Sequence, residues 1–536
     1  MTKAIACAAA LCPPALSQSN VVPGLDARLT HLEDPSMFGR RGPAFPDGEV
    51  GMTYSYYMCN SGSVVIPWLA PSGGTQPMAT QHPMTAFLVA REDGDRIVQI
   101  TDLRTFVKHA HGAANTSGAC GTCQHPGTNA AIGVDCTDAY SAATNANRYY
   151  LGPQEEVDPW LGTWEPIHSY FDRGDPDVGF PQNQDGVRSL TSGAFADPVQ
   201  HLVTLRERDL VEPGRFLYAM HLVVAGEAGA AHLDNMGYRE MVPTFDGAVW
   251  TFGDGPLAYT TGSVLDAWTG ASVQSAGNGA DDGAFFVAVK VTEPTPGTFH
   301  YEYAVHDFDN ARGAATLRIP LCASATLSGP GFRDVDDDPL NDWTAQRIGD
   351  ELVFQAPAGN ALQWNQLFNF WFDCDMPPVA GAVELDQALP GPGALSVAVG
   401  AEVPAGPAAL ADLGPGCGAP PPALTGNGLP TLGNAAFALD VAAAPGAAVL
   451  LFYSVLSTAQ QLAPGCTQYL DAAGLVTHEF LLLDGAGAGS FAVPVPNDPL
   501  LDGVDVYWQA AELAAGGPVF SAFAVSNGVG TRLGCR

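Results

Sequence analysis

Residues 298–309, TFHYEYAVHDFD, show the pattern that decides the fold. His300, Glu302 and Ala304 alternate with Tyr301, Tyr303 and Val305. A period of two predicts a β-strand with one face on a core and the other in water. Comparable β-branched and aromatic runs, separated by Gly, Pro, Asn and Asp, lie at 52–59, 64–70, 84–90, 96–103, 201–209, 216–225, 248–252, 284–293, 316–322, 351–357 and 366–375. No helical period extends beyond a few turns, so we expect a mainly β, multi-domain chain of antiparallel β-sandwich or jelly-roll-like modules with long loops.

The length of 536 residues is too great for a single core, so about two to four domains are expected. Residues 18–50 are polar and rich in Pro and Gly, which predicts an N-terminal extension. A large Cys-pinned β-rich region is expected over 51–395, with a division into two sandwiches near 195. A Pro/Gly/Ala linker is predicted over 396–430, and a small C-terminal β-sandwich over 431–536.

The first residues, MTKAIACAAALCPPALSQ, have the features of a secretory signal. Lys3 supplies the positive charge, residues 4–12 are small and apolar, and Ala15-Leu16-Ser17 is a cleavage pattern. This predicts a signal peptide over 1–17 and a secreted protein, extracellular or on the cell surface. No later run has the length of a membrane span.

The net charge of −34 limits the partners. A chain this acidic repels phosphate backbones and anionic lipid, so nucleic acid is not expected as a partner. The chain contains no G-x-S-x-G, H-E-x-x-H, Walker or dinucleotide motif. This argues against the common hydrolases and nucleotide-binding enzymes as functions, without excluding rarer enzymes.

The segment 108–136, KHAHGAANTSGACGTCQHPGTNAAIGVDC, gathers most of the reactive side chains. Export implies an oxidising compartment, so disulfides are the default for cysteines. Two disulfides are expected among Cys59, Cys120, Cys123 and Cys136; a zinc site or a redox dithiol at Cys120-Gly-Thr-Cys123 remains an alternative. The nine cysteines left after cleavage are Cys59, Cys120, Cys123, Cys136, Cys322, Cys374, Cys417, Cys466 and Cys535, and their odd number leaves at least one unpaired within the chain.

Two groups of residues have metal-ligand character. His109 and His111 would point to one face if they lay on a strand, and His82 could be a third ligand for Cu²⁺ or Zn²⁺. Asp334, Asp336 and Asp338 resemble the start of a Ca²⁺ loop, although the Gly and the distant Glu of a full loop are missing. Ordinary loop hydrogen bonds and a solvated acidic turn are the competing interpretations.

Several short phrases resemble a family of exported modular proteins common in planctomycete-type and other environmental bacteria. These phrases are QHPM (81–84), KH (108–109) followed by CGTC (120–123), IGVDCTDAY (132–140), LGPQEEV (151–157), NMGYR (235–239), QW (363–364) and NFWF (369–372). PGC (464–466) and SNG (526–528) resemble a small module at the ends of such proteins. The resemblance implies export, β-rich modularity and the placing of the Cys segment, and it names no reaction. Ala110-His111-Gly112 departs from the pattern, in which Gly follows the first His.

Two functions follow as hypotheses. The first is a secreted, non-catalytic binding or structural protein of the cell surface or extracellular matrix, with a polysaccharide or cell-envelope component as partner. In it, the pinned loop would present His82, Lys108 and His109 to a ligand. The second is a metal-dependent extracellular enzyme that uses copper or zinc on His82, His109 and His111.

Overall fold

The protein is mainly β, as the sequence predicts, and its antiparallel sheets form several sandwich-like modules. The structure is a computed structural model that describes residues 18–72, 77–102, 106–173, 185–190, 197–322, 325–336 and 338–535. The helices in these ranges are short: Ala142–Asn145, Tyr170–Arg173 and Glu207–Val211, with 3₁₀ turns at Arg148–Tyr150, Gln154–Glu156, His232–Asp234, Val264–Ala267, Ala472–Gly474 and Pro499–Leu501. None of these helices is long and apolar enough to cross a membrane.

The first two layers are formed by the N-terminal half of the chain. Layer one contains two three-stranded sheets. The strands of the first are Ala27–Leu32, Tyr56–Asn60 and Thr137–Tyr140, and those of the second are Val203–Arg206, Glu49–Thr53 and Ser36–Arg41. Layer two is one sheet of Leu151–Pro153, Phe106–His109, Met84–Glu92, Arg215–Val223, Met236–Phe245 and Trp250–Asp254, with Ile97–Gln99 and Thr260–Thr261 alongside. Small two-stranded pairs, Ile66–Pro67 with Ala131–Ile132 and Val157–Asp158 with Thr163–Trp164, lie in the loops.

Layers three and four follow in the sequence. Layer three is the sheet Ser272–Gly277, Ala284–Thr295, Thr298–Asp307, Gln366–Cys374 and Leu327–Arg333. Layer four is the sheet Thr344–Ile348, Glu351–Gln355, Ala314–Pro320, Val379–Gln387 and Ser396–Val403. One core lies between layers three and four, and another lies between layers one and two.

A C-terminal module completes the chain. Its six-stranded sheet contains Ala409–Gly414, Gly528–Arg532, Asp505–Leu513, Ala448–Ser454 and Val476–Leu482, with Phe523–Val525 alongside, and its second sheet contains Ala423–Asn427, Ala438–Ala442 and Ala488–Ala492. The hairpin Ser457–Ala463 and Cys466–Leu470 accompanies them. A separate apolar core lies between the two sheets.

Layers two and three also pack on each other, along an interface that we call the seam. Leu88 and Leu217 from layer two contact a core that includes Ala288, Ala304 and Leu367 from layer three. Because side chains alternate along a strand, strands in these two layers are buried on both faces. All nine residues of Met84–Glu92 are buried as a result.

The expectation of one wet face on residues 298–309 is therefore wrong from Tyr301 onward. Every residue from Tyr301 to Asp307 is buried, because layer two covers the face that would otherwise meet water. The polar position on that face, Glu302, is matched by a cation. Arg96 donates two hydrogen bonds of 2.5 Å to the Glu302 carboxylate and stacks 3.9 Å above the Trp371 ring.

Three hydrogen bonds connect the seam as well. The Leu367 N–H donates to Gln99 Oε1 at 2.8 Å, and the side-chain amides of Asn365 and Asn369 donate to Phe87 O and Ile97 O. Buried polar groups seldom remain without partners, so these bonds fix the register in which the two layers meet.

The sheets do not follow the predicted division near 195. Val203–Arg206 pairs with Glu49–Thr53, and Arg215–Val223 pairs with Met84–Glu92, so residues on both sides of 195 share sheets. The extension 18–50 contributes the strands Ala27–Leu32 and Ser36–Arg41 to layer one. Long-range pairing of this kind leaves no local signal in the sequence.

The region 396–430, predicted as a linker, contains three strands. Ser396–Val403 pairs with Val379–Gln387 in layer four, whereas Ala409–Gly414 and Ala423–Asn427 belong to the C-terminal module. The Pro and Gly residues lie in the short connections between these strands. The predicted signal segment 1–17 lies outside the described residues.

The first prediction concerns the ion pair across the seam. Arg96→Met leaves the buried Glu302 carboxylate with only the partly exposed His300 ring beside it, and we expect a loss of about 2–4 kcal/mol in the free energy of unfolding, because breaking a buried pair is costly. Urea unfolding measures the change. Arg41→Met, which breaks partly exposed pairs with Glu49 and Asp197, is the matched control and should cost about 0–1 kcal/mol. Equal losses in the two variants would show that the seam does not depend on the pair.

Candidate functional site

The loop 110–136 is held by two disulfides. Cys59–Cys120 joins it to the strand Tyr56–Asn60, and Cys123–Cys136 closes its second half, with Cα–Cα distances of 6.0 and 4.0 Å. The expectation of two disulfides among these four cysteines is confirmed. Because Cys120 and Cys123 pair with different partners, they do not form a dithiol with each other, and neither has a thiolate to offer to zinc.

Four of the five remaining described cysteines also form disulfides. Cys322–Cys535 connects layer four to the end of the chain, and Cys417–Cys466 lies within the C-terminal module. Cys374 is the unpaired cysteine of the described residues, and it is buried in the core between layers three and four. Burial raises the pKa of its thiol to about 11, so the thiol stays protonated and unreactive at neutral pH.

His82 and His109 lie in contact beside the edge of layer two. His82 Nε2 and His109 Nδ1 are 2.9 Å apart, and His82 Nδ1 is 2.7 Å from Leu69 O. A carbonyl can only accept, so His82 Nδ1 carries a proton, and in a neutral ring its Nε2 then accepts from His109 Nδ1–H. Both nitrogens of His82 are therefore occupied by protein partners.

The surroundings keep these two rings neutral. Trp164 and Phe171 contact the His109 ring at centroid distances of 4.9 Å. Burial lowers the pKa of His82 to about 4, and burial together with the neighbouring His82 lowers the pKa of His109 well below its usual value. The two neutral imidazoles thus form a chain of hydrogen bonds to Leu69 O. This chain connects the strand Phe106–His109 to the loop segments that contain His82 and Leu69.

His111 does not join this pair. The strand that carries His109 ends at that residue, so strand alternation does not bring His111 to the same face. The exposed His111 ring instead lies 4.9 Å from the Tyr150 ring, and its backbone N–H donates to the Tyr140 hydroxyl. Within the described ranges, Cys322, Asp502 and Cys535 are the only group of three such residues whose ligand atoms all lie within 4.8 Å, and the two cysteines are bonded to each other.

Lys108 points into the protein. Its ammonium donates to Thr144 O at 2.6 Å and lies 4.8 Å from the centre of the Tyr150 ring. Burial lowers its pKa to about 7, since the charged form loses water. These contacts fasten the helix Ala142–Asn145 to layer two, so the structure does not present Lys108 on the surface.

The acidic turn at Asp334, Asp336 and Asp338 uses its carboxylates locally. Asp334 Oδ1 accepts from the Asp336 N–H, Asp336 Oδ1 from the Asp338 N–H, and Asp338 Oδ1 from the Leu340 N–H, at 2.8–3.0 Å. This is a succession of Asx turns, which Asp forms readily without a cation. Asp334 Oδ2 accepts in addition from the Asn360 side chain at 2.7 Å.

A pocket of about 350 Å³ opens beside His82. Its lining includes the apolar residues Val22, Leu25, Ile66 and Val224, and His82 forms part of its wall. A cleft of this size with few polar groups has the character of a small-ligand site. Through this pocket, the predicted site residue His82 borders a space that a ligand could enter.

Sequence reasoning missed a second set of histidines, His221, His232 and His306, which are buried at one end of the seam. The signal that could have found His306 is the alternation along residues 298–309, since His306 shares a strand face with Glu302 and Ala304. His221 and His232 come from distant parts of the chain, and only the fold brings them near.

Comparisons with known proteins give no family. No family model and no curated protein matches the chain. Two structures of the major pilin subunit of Bacillus cereus are similar at 9% and 10% identity, over 56% and 64% of this chain and 74% and 88% of the pilin chains, with TM-scores of 0.17 and 0.16. Escherichia coli alpha-2-macroglobulin activated by porcine elastase is 9% identical over 95% of this chain and 35% of that chain, with a TM-score of 0.14. Scores this low do not establish a shared fold.

The second prediction is a thiol count. For protein beginning at residue 18, unfolding without reductant should expose one reactive thiol, Cys374, and unfolding after reduction should expose nine. Titration with a chromogenic disulfide reagent gives both numbers. Three or more thiols before reduction would contradict the disulfide assignment.

The third prediction separates His109 from His111. His109→Leu removes the donor to His82 Nε2 and leaves a buried acceptor unpaired, so we expect a loss of about 1–3 kcal/mol in unfolding free energy. The exposed neighbour provides the control, because His111→Leu should change stability by less than about 0.5 kcal/mol. Urea unfolding measures the unfolding free energy of both variants. A larger loss in His111→Leu than in His109→Leu would contradict the hydrogen bond between His82 and His109.

Proposed function

We propose that the protein is an exported, non-catalytic structural or binding protein of the cell surface or extracellular matrix. The observation that supports this proposal is the set of four disulfides, which pair eight cysteines of the described chain. Disulfides persist in oxidising compartments and are rare where cellular thiols keep cysteines reduced.

The positions of the disulfides agree with a load-bearing or protective role. One holds the loop 110–136 against layer one, and another fastens Cys535, at the end of the described chain, to Cys322 beside layer four. A covalent link over a sequence separation of 213 residues restricts the unfolded chain strongly, in the chain-entropy description. The C-terminal module is thus joined to the layered body by two routes, the backbone and this bond.

The acidic surface defines the partner further. With 56 acidic and 22 basic residues, the protein repels polyanions, so a neutral polysaccharide or a neutral envelope component fits better as a partner. Exposed apolar side chains cluster on the edge strand Val476–Leu482 of the C-terminal module, where Phe480 is 51% and Leu482 is 65% exposed. This strand is the first surface to test for contact with the envelope.

Fractionation of cells that produce the protein tests its location. We expect it in the envelope or the medium with its disulfides formed at the moment of lysis, as shown by trapping free thiols with a maleimide. Recovery of folded protein in the cytosol with reduced thiols would overturn the proposal of export.

The fourth prediction tests binding by co-sedimentation with isolated cell envelope and with insoluble neutral polysaccharides. We expect the full chain to sediment with at least one of them, and the double variant Phe480→Ser/Leu482→Ser to lose binding by at least about fivefold, since burial of two large apolar side chains contributes several kcal/mol. Leu340→Ser/Leu395→Ser, at two other highly exposed leucines, is the matched control and should bind within about twofold of wild type. Absence of binding to every material would count against a binding role.

A further inference from the structure

Three histidines meet at one end of the seam. His221 lies on the strand Arg215–Val223, on the same face as Leu217 and Ala219, which point to layer three. His306 lies on Thr298–Asp307 and shares its face with Ala304, which points to layer two. His232, in the turn His232–Asp234, reaches the end of the same layer-three strand through Asp309.

Their side chains are almost wholly inaccessible. His221, His232 and His306 are 5%, 4% and 6% exposed. Aromatic rings surround them: the Phe308 ring is tilted against the His221 ring at a centroid distance of 4.2 Å, and the Trp160 ring lies 4.9 Å from the His232 ring. A proton added here creates a charge in an apolar interface rather than in water, which is costly.

Several of the ring nitrogens lack partners. His232 Nδ1 lies 2.9 Å from Asp309 Oδ2, which accounts for one of them. His221 Nδ1, His232 Nε2 and both nitrogens of His306 have no hydrogen-bond partner among the described residues. A buried imidazole with neither nitrogen bonded to a protein group, as in His306, is unusual enough to require a reason.

The groups around the cluster do not neutralise an added charge. Layer three contributes Asp307 and Asp309, the segment before His232 contributes Glu227, and the loop at 158 contributes Asp158, which interacts with Asp281 and Asp309. Burial raises the pKa of Glu227 to about 8, so this carboxyl largely holds its proton at neutral pH, and burial raises the pKa of Asp307 well above its usual value. Asp309 is already engaged by His232, whose pKa is raised by that hydrogen bond although burial opposes the shift.

The pKa values of the other two histidines set the direction of the pH effect. Burial lowers the pKa of His306 to about 4, and burial with the charges of His232 and His306 lowers that of His221 well below its usual value. When the seam is open, both rings should titrate near the ordinary value of about 6.5. For these two rings, the open form binds more protons between about pH 6.5 and 4, so their contribution to the stability of the closed form is lost as the pH falls through that window.

A metal ion is not the better explanation. The ligand atoms of His221, His232 and His306 do not all lie within 4.8 Å of one another, since the one group of three that meets this limit in the described chain is Cys322, Asp502 and Cys535. A proton requires no such convergence, because each ring can take it separately.

We propose that the seam is an acid-sensitive joint, in which protonation of His221 and His306 separates layer two from layer three while the sheets themselves remain folded. The two sides are two disulfide-containing sandwiches with cores of their own, so each has packing to retain when the joint opens. Acid would then expose the apolar faces around Leu217 and Ala304. The inference concerns the joint alone and stands apart from the proposed export and binding.

Hydrogen exchange followed by mass spectrometry tests the joint. The amide of Leu367 donates across the seam to Gln99, so the peptide that contains it reports opening, and peptides from the strand Asp505–Leu513 report unfolding elsewhere. After correction for intrinsic exchange, we expect protection of Leu367 to fall at least about tenfold between pH 7 and pH 4.5, since one histidine shifted by more than two units suffices for that factor. Protection in Asp505–Leu513 should change by less than about threefold.

Variants identify the responsible groups. The double variant His221→Phe/His306→Leu cannot take up these protons, and we expect its Leu367 protection to stay within about threefold over the same range. If the double variant does not fold, His306→Gln takes its place, since it keeps a polar side chain of similar size. We expect its loss of Leu367 protection to be smaller than that of the wild type. His125→Leu, at an exposed loop histidine, should behave as wild type. The proposal would be overturned if Leu367 protection in the wild type did not change with pH. It would also be overturned if protection fell equally in the wild type, the double variant and His306→Gln.

Discussion

The structure depends on the burial of layer two on both of its faces. The strands Met84–Glu92 and Arg215–Val223 contribute one set of side chains to the core with layer one and the alternate set to the seam with layer three. This double burial converts what would be two separate sandwiches into four stacked layers. Antiparallel sheets often leave one face in water, so the second cover is the feature that has to be explained.

The second cover determines where charge is tolerated. A chain with a net charge of −34 has few cations to place inside, and Arg96 is set on the seam opposite Glu302. His221 and His306 on the same surface have to be neutral, because neither has a comparable carboxylate partner among the described residues. The stacking that stabilises the fold at neutral pH thus fixes the protonation state of the groups within it.

The sequence was informative wherever local pattern and burial agree. Most runs of β-branched and aromatic residues are strands, and the expected pair of disulfides in the Cys segment is present. Local pattern could not reveal that residues around His300–Asp307 are covered on both sides, since alternation of His300 and Glu302 with tyrosines has the same appearance in a half-buried strand. The three strands within 396–430 were missed because Gly, Pro and Ala lower strand propensity, whereas pairing with partners such as Val379–Gln387 overrides it.

The candidate residues were harder to predict than the fold for a related reason. His82 and His109 were selected as metal ligands from their type and spacing, and they do meet, but they bond to each other: His82 Nδ1 donates to Leu69 O, and His82 Nε2, the nitrogen left for a metal, accepts from His109 Nδ1–H. His111 was grouped with them on the assumption that the strand continues past His109, and it does not. The chemistry of a side chain in this protein is decided by which layer covers it, and that is a property of the stack rather than of any local motif. The same rule explains why the Cys segment 108–136, although rich in reactive residue types, contains paired cysteines and an inward-facing Lys108, whereas the buried histidines with unpaired nitrogens lie at the seam, where only the fold brings His221 and His232 near His306.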